Sequence, residues 1–265
     1  MSSVGRIVGV KSVNNIYLVV VWLCSATVFG QNTIPAGTIL PLQLTSALNS
    51  KKTKAGQEIT ATLMQDVPLP PRSKIHADTK VIGHVLDVTP ATAASGARIS
   101  FRFDAIEISK RKVPITANLR ALASMMEVHE AQLPTSGPDR GTSENSWTTV
   151  QIGGDVVYRG GGPVAHGLKV VGTPTANGVL CRARANPGAK CRGETDGNDL
   201  PQALWVFSAD ACGAYGLPDL VILHAGRSVP FGQVTLGSTR GNFDVGRGSG
   251  MLLRVNDTRV NDTKD

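Results

Sequence analysis

Residues 98–108 read RISFRFDAIEI and show the clearest β-strand pattern in the chain. Ile99, Phe101 and Phe103 alternate with polar residues along this stretch. Successive side chains of a strand point to opposite faces, so these three are predicted to face the core. The stretch therefore predicts an all-β fold built from strands with one buried face.

Three earlier stretches repeat this alternation, at residues 37–44, 58–64 and 80–88. In the last of them, the predicted inward face comprises Ile82, His84, Leu86 and Val88. Proline, glycine and lysine turns separate the stretches, which is typical of strands joined by tight connections. Residues 31–120 are therefore predicted to form a first module made of a run of β-strands.

Residues 147–256 differ from the first module because many of the chain's 29 glycines separate short apolar runs there. This spacing predicts a glycine-rich β-sandwich or barrel. Between the two modules, residues 121–146 predict a short helix, from Leu122 to Ala131, followed by a linker. Residues 257–265 are predicted to be a disordered tail.

The first 30 residues have the pattern of a secretory signal peptide. Arg6 and Lys11 precede an uncharged apolar stretch at residues 16–28, which suits a signal-peptide core and is short for a membrane span. Cleavage is predicted after Ala26 or after Gly30. We therefore expect an exported protein, located in the periplasm, at the outer membrane or outside the cell.

The amino-acid composition and net charge indicate which kinds of partner the protein could contact. Hydrophobic residues make up 41% of the chain, enough for a core, and the formal net charge is +7. A mild basic excess indicates a solvated surface that could make peripheral contact with an anionic membrane. The basic residues are not interleaved with aromatic ones, so we expect no nucleic-acid binding.

Export would allow disulfide bonds between the three cysteines that follow the leader. Cys181 and Cys191 flank the turn sequence Asn186-Pro187-Gly188, so a hairpin is predicted to bring them together as a disulfide. A Cys191–Cys212 disulfide is the alternative. Either pairing leaves one thiol, which would be buried or would pair between chains.

The hypothesis that the protein is an enzyme depends on few residues. Cys212 is a weak candidate nucleophile, with His166 or His224 as its base. Glu194 and Asp210 could instead form the carboxylate pair of a hydrolase. Because nothing in the sequence places a base beside Cys212, we predict no catalytic site and expect this cysteine in a disulfide or buried.

An acidic loop could hold calcium through oxygen ligands. Its candidate ligands are Glu194, Asp196, Asn198 and Asp199. Leu200 stands where the EF-hand pattern needs another oxygen ligand, and turn chemistry alone explains this loop. We predict no other metal and no organic cofactor.

Three aromatic residues in the second module could stack on a glycan: Trp147, Trp205 and Tyr215. Tryptophan and tyrosine combine a flat apolar face with a polar edge, which suits such a site. Trp205 lies inside an apolar run and is alternatively a core residue.

Residues 34–119 resemble the β core of the TrbI/VirB10 family of conjugation and type IV secretion proteins. The stretch IPAGTILP at residues 34–41 is similar to the opening strand of that core, and residues 98–106 are similar to a later one. Leu48-Asn49-Ser50 with Gly56 resembles its turn, whereas residues 75–78 depart from its pattern. The resemblance implies a barrel-like envelope scaffold, and the whole chain is also similar to exported proteins of Acidobacteria.

These observations predict an exported envelope protein with a non-enzymatic scaffold, assembly or binding role. Its partner would be another envelope protein or a glycan. The alternatives are an exported hydrolase acting on peptidoglycan or polysaccharide, and a component of a secretion or conjugation machine. The sequence leaves the oligomeric state open.

Overall fold

The structure is a computed structural model that describes residues 33–143, 147–187, 191–194 and 200–257. The predicted signal peptide and most of the predicted tail lie outside the described residues. So do three of the four predicted calcium ligands, namely Asp196, Asn198 and Asp199. No helix within the described ranges is long and apolar enough to cross a membrane.

The described residues form twenty strands and one α-helix. In the first part of the chain these are β1 (Ile39–Leu44), β2 (Leu48–Asn49), β3 (Glu58–Leu63), β4 (Val67–Leu69), β5 (Ser73–Ile75), β6 (Lys80–Thr89), β7 (Arg98–Ile108), β8 (Arg111–Pro114), β9 (Ala117–Ala123) and α1 (Met125–Gln132). In the second part they are β10 (Thr148–Val150), β11 (Val156–Tyr158), β12 (Val164–His166), β13 (Lys169–Thr175), β14 (Gly178–Cys181), β15 (Gln202–Ala203), β16 (Gly213–Tyr215), β17 (Leu220–Leu223), β18 (Val234–Ser238), β19 (Asp244–Val245) and β20 (Gly250–Val255).

The predicted all-β class is confirmed, and the largest sheet has ten strands. Its order is β16-β9-β20-β1-β3-β6-β7-β18-β17, with β8 paired to β7. Among the described residues no sheet closes into a barrel, in contrast to the barrel-like closure that we expected. The end strands β16 and β17 lie close together without a hydrogen-bonded ladder. Both are short, and Pro218 between them has no N–H to donate.

This sheet takes strands from both predicted modules. β20, near the end of the chain, lies between β1 and β9, and β18 extends the sheet beside β7. The described residues accordingly form one compact unit. In this sheet, β1, β7 and β9 of the first module thus each pair with a strand from the second half of the chain.

β9 and β20 are buried along their whole length. Leu253 faces the core enclosed by the ten-stranded sheet, whereas Leu252 faces a second core. The second core lies between this sheet and a six-stranded antiparallel sheet, β10-β11-β12-β13-β14-β15. Strands covered on both faces lack polar alternation, which explains why ANLRALA and GMLLRV are nearly continuous apolar runs.

The predicted face of β7 is confirmed, because Ile99, Phe101 and Phe103 are all buried. The two phenylalanine rings meet edge to face, with centroids 5.9 Å apart. An edge-to-face pair adds to the stabilisation that burial of the rings provides.

The predicted inward face of β6 is wrong for Ile82, His84 and Leu86, whereas Val88 packs against the core after an irregularity in the strand. Val81 and Val85 are buried, while His84 lies on the outer face, with its Nδ1 2.6 Å from Asp104 Oδ2. A Cβ atom at Gly83 would lie 2.1 Å from the Arg102 carbonyl oxygen. Apolar residues occupy both faces of β6, so alternation alone could not choose between them.

The predicted short helix forms as α1, but it begins at Met125, because Leu122 and Ala123 belong to β9. Ser124 caps it by accepting a hydrogen bond from the Glu127 backbone N–H. Val128 and Ala131 are buried against the second core. The helix ends before Pro134, which cannot continue the hydrogen-bonding pattern.

Candidate functional site

A cavity of about 490 Å³ lies where the six-stranded sheet meets the segment after β3. We call it the Trp147 cavity. Its lining residues are Met64, Ala77, Asp78, Gln132, Trp147, Thr149, Arg159, Ala176, Asn177, Gly178, Trp205 and Val206. The volume lies within the range of small-molecule sites, and the wall combines apolar surface with a few polar groups, as such sites do.

Trp147 provides the exposed aromatic surface of this cavity. Its side chain precedes β10 and is 45% exposed, which is high for so large an apolar group. The Arg159 backbone N–H donates to the Trp147 carbonyl, with 2.8 Å between nitrogen and oxygen. The two residues therefore lie opposite each other at the open end of the β10–β11 hairpin, and both side chains reach the cavity.

Arg159 is fixed by one end of its guanidinium group. Nη1 donates to the carbonyls of Thr175 and Gly178, each at 3.2 Å. These carbonyls belong to the β13–β14 turn, so the turn holds the guanidinium in place. Partial burial lowers the pKa of Arg159 below its ordinary value.

Trp205 lines the cavity without offering a face for stacking. It is 2% exposed, and its ring meets Phe207 edge to face with centroids 6.5 Å apart. Its backbone has a φ of +53°, in the left-handed region that is unfavourable for a bulky residue. The core alternative considered for Trp205 thus describes its position, and the glycan-stacking interpretation does not.

Gln65 holds the wall of the cavity together. Its Oε1 accepts the Trp205 backbone N–H at 2.7 Å, and its Nε2 donates to the Val179 carbonyl at 2.8 Å. A Cβ atom at Gly178 would lie 2.2 Å from Gln65 Oε1, so only glycine permits this approach. The buried amide therefore links the segment after β3 to β14 and to the Trp205 backbone.

Two further cavities adjoin the Trp147 cavity, and we call the three together the groove. A cavity of about 320 Å³ shares Ala176 and Asn177 with the Trp147 cavity, and one of about 690 Å³ shares Leu180 and Lys74 with the second. Lys74 is paired with Asp66, with 2.6 Å between Nζ and Oδ2, and this hydrogen bond lowers the pKa of Asp66.

Tyr215 does not line any of these three cavities. Its hydroxyl oxygen accepts the Cys212 backbone N–H at 3.0 Å and donates to the Cys212 carbonyl at 3.3 Å. Its role in the structure is to fix the turn that precedes β16. Of the three aromatic residues predicted for a glycan, only Trp147 presents an exposed ring to a cavity.

The preferred Cys181–Cys191 disulfide is wrong, and the alternative is correct. Cys191 and Cys212 form the disulfide, with Cα atoms 5.9 Å apart. Cys181 lies in β14, between Gly172 of β13 and Gln202 of β15, so residue 191 does not return beside it. Its free thiol is buried, and burial raises its pKa to about 12.

The candidate catalytic pair of Cys212 with a histidine is excluded because the disulfide occupies the sulfur. His166 instead lies beside two carboxylates. Its Nδ1 is 2.8 Å from Asp155 Oδ1 and 3.9 Å from Asp210 Oδ2. The Asp155 carboxylate is fully buried and also accepts the Ala209 backbone N–H at 2.9 Å.

A buried carboxylate that orients an imidazole is one part of a general-base arrangement. Asp210 is further paired with Arg184, at 3.1 Å between Oδ2 and Nη1. Neither Asp155, His166 nor Asp210 lines the three cavities that form the groove. His224, the other candidate base, is likewise not among their lining residues.

Of the predicted calcium ligands, Glu194 is described, and it faces a cation. Its Oε2 lies 3.5 Å from Nη1 of Arg254. Within the described part of the chain, no group of three histidine, cysteine, aspartate or glutamate side chains is placed to hold a metal ion.

Arg159, Asp78 and Asn177 were not identified from the sequence as site residues. The sequence does contain a signal for Arg159. Gly153 and Gly154 lie at the centre of a turn, and a hairpin about that turn places residue 159 opposite residue 147. Asp78 and Asn177 come from separate connections, and only the tertiary fold brings them to one cavity.

The Trp147 cavity therefore combines an exposed indole face with the amide of Asn177, the carboxylate of Asp78 and the guanidinium of Arg159. No protein-family model, curated protein or solved structure matches this chain.

Proposed function

We propose that this is an exported, non-enzymatic binding protein of the cell envelope that holds a saccharide in the Trp147 cavity. The observation that carries the proposal is the exposed Trp147 ring at the wall of a cavity that also presents Arg159, Asp78 and Asn177. Sugars offer C–H faces that stack on indole and hydroxyl groups that pair with amides and charged groups.

Two features support export. The Cys191–Cys212 disulfide is of a kind that persists in oxidising compartments such as the periplasm. The leader pattern in residues 1–30 points in the same direction. Location in the envelope would place the groove among peptidoglycan and surface polysaccharides, which are glycans that such a site could meet.

The ten-stranded sheet would serve assembly or attachment within the envelope. The resemblance of residues 34–119 to the TrbI/VirB10 core supports this part of the proposal. A secretion-machine component would form rings, so sedimentation of the chain at high concentration distinguishes a single binding protein from such a component.

Binding is tested by titrating oligosaccharides of peptidoglycan, pectin and alginate into the chain that begins at residue 31. We expect Trp147→Ala to weaken binding about tenfold, since it removes the stacking surface. Tyr158→Ala is the matched control, because Tyr158 is also an exposed aromatic residue of the same hairpin but does not line the cavity. Equal affinity of the wild type and Trp147→Ala for every ligand would contradict the proposed site.

Hydrolysis is the second candidate function, and the Asp155–His166 pair favours it. An exported hydrolase would release new reducing ends from the same oligosaccharides, and His166→Ala would abolish their release. Binding without any release of reducing ends would favour the binding protein.

A further inference from the structure

We propose that the Trp147 cavity selects saccharides that carry a carboxylate, and that Arg159 recognises this group. The inference rests on the proposed saccharide-binding function and adds the chemical class of the ligand. It depends on the orientation of the Arg159 guanidinium and on the absence of a carboxylate paired with it in the described part of the chain.

The guanidinium keeps one edge available. Both Thr175 and Gly178 carbonyls accept from Nη1, so that nitrogen's two hydrogens are engaged by the turn. Within the described ranges, Nε and Nη2 form no hydrogen bond with the protein. These two nitrogens form the side-on edge of the fork, which matches the two oxygens of a carboxylate.

The charge of Arg159 also lacks compensation. The side chain is half-buried, and none of the described carboxylates forms an ion pair with it. A partly desolvated cation is costly unless an anion or several hydrogen bonds satisfy it. A ligand carboxylate would supply the missing charge where Arg159 lines the cavity.

The position of Arg159 relative to Trp147 restricts the ligand further. Because the two residues are opposite each other across the β10–β11 hairpin, their side chains are neighbours on one face. A pyranose ring stacked on the indole would therefore place a substituent within reach of the guanidinium. A uronic acid has its carboxylate as such a ring substituent.

The other charged residues of the groove are also consistent with an acidic saccharide. Asp78 also lines the Trp147 cavity, where it would accept from sugar hydroxyls and disfavour a second carboxylate at its own position. Farther along, Lys74 is neutralised by Asp66, whereas Arg72 lines the third cavity and forms no ion pair with a described residue. A longer acidic chain would meet a second cation there.

The test compares oligogalacturonate with its methyl ester, which has the same rings without the charge. We expect the acid to bind the chain that begins at residue 31 about tenfold more tightly than the ester, and salt to weaken only the acid. Alginate oligosaccharides and their methyl esters provide a second matched pair of probes.

Two variants assign the effect to Arg159. Arg159→Gln should reduce binding of the acid to the level of the ester and leave binding of the ester unchanged. Arg159→Lys keeps the charge without the fork and should retain only part of the preference. Arg98→Gln, an exposed arginine on β7, is the matched control, and thermal unfolding confirms that each variant folds.

The outcomes separate this inference from the proposed function. Equal binding of acid and ester, or an acid preference that survives in Arg159→Gln, would overturn the inference and leave saccharide binding standing. Binding of neutral oligosaccharides without binding of acidic ones would also overturn the inference and leave saccharide binding standing. Absence of binding for every acidic and neutral saccharide would overturn the proposed function and the inference together.

Discussion

At the scale of single residues, buried polar groups define the structure around the second core. Asp155 is fully buried, yet both of its carboxylate oxygens have partners, His166 and the Ala209 backbone N–H. Sequence alone could not identify this residue, because its partners lie 11 and 54 positions away in the chain. A buried carboxylate is tolerated where hydrogen bonds satisfy it.

We expect Asp155→Asn to lower the free energy of unfolding by about 2–4 kcal/mol. An amide has one acceptor oxygen, so it cannot replace both carboxylate oxygens. In one orientation its NH2 group would face the Ala209 N–H, and in the other it would replace the oxygen that contacts His166. Urea unfolding followed by circular dichroism measures the change. Asp87→Asn, at an exposed position of β6, should change the free energy of unfolding by no more than about 0.5 kcal/mol. Similar losses in the two variants would contradict this role of Asp155.

Cys181 should be inert in the folded chain. Burial raises the pKa of its thiol to about 12 from an ordinary value of 9, so the reactive thiolate is scarce at pH 9. The unfolded thiol ionises at lower pH than the folded one, so this group destabilises the fold as pH rises above 9.

Iodoacetamide at pH 9 should therefore label no cysteine in the native chain from residue 31, and one cysteine after denaturation in guanidinium chloride. Rapid labelling of the native chain would show that Cys181 is accessible, or that the Cys191–Cys212 disulfide is not formed. Mass spectrometry of the labelled peptides distinguishes these two results.

At the scale of elements, strand patterns were predictable where one face meets solvent. The alternation of β7 assigned its buried face correctly, whereas that of β6 was correct for Val88 and wrong for the residues before it, because the choice of face there depends on contact with β7. Gly83 is the informative residue, since its hydrogen faces the Arg102 carbonyl across the β6–β7 pair. A glycine inside a strand pattern signals such a close approach.

Gly83→Ala should destabilise the protein by about 1–3 kcal/mol, because the new methyl group would overlap the backbone of β7. Gly246→Ala is its control, as a Cβ atom there meets nothing within 4 Å. Chemical denaturation of both variants measures the difference. Equal stability of the two variants would mean that β6 and β7 separate without cost, contrary to the structure.

At the scale of the whole molecule, the all-β class could be predicted but the joining of the two halves could not. Composition and alternation indicate strands, and glycine spacing indicates tight turns. The pairing of β20 with β1 and β9 brings together segments about 200 and 130 positions apart, and no local pattern specifies such partners. The Trp147 cavity could not be predicted from the sequence for the same reason, because its walls come from connections that are far apart in the chain.

The first half of the chain should therefore not fold alone. A fragment of residues 31–146 lacks β16, β18 and β20, which leaves β9 without a paired strand and removes one neighbour each from β1 and β7. We expect it to show neither a β-sheet circular dichroism spectrum nor a cooperative urea transition. The chain of residues 31–257 should show both. Cooperative unfolding of the short fragment would support an independent N-terminal module instead.

A saccharide bound at the proposed site would cover Trp147, and quenching of tryptophan fluorescence by acrylamide measures that contact. The chain from residue 31 contains two tryptophans, of which Trp147 is exposed and Trp205 is buried, so quenching reports on Trp147. Saturating oligogalacturonate or its methyl ester should protect this fluorescence from acrylamide, and Trp147→Ala should abolish the quenchable component. Quenching that stays unchanged while the saccharide is bound would contradict the account.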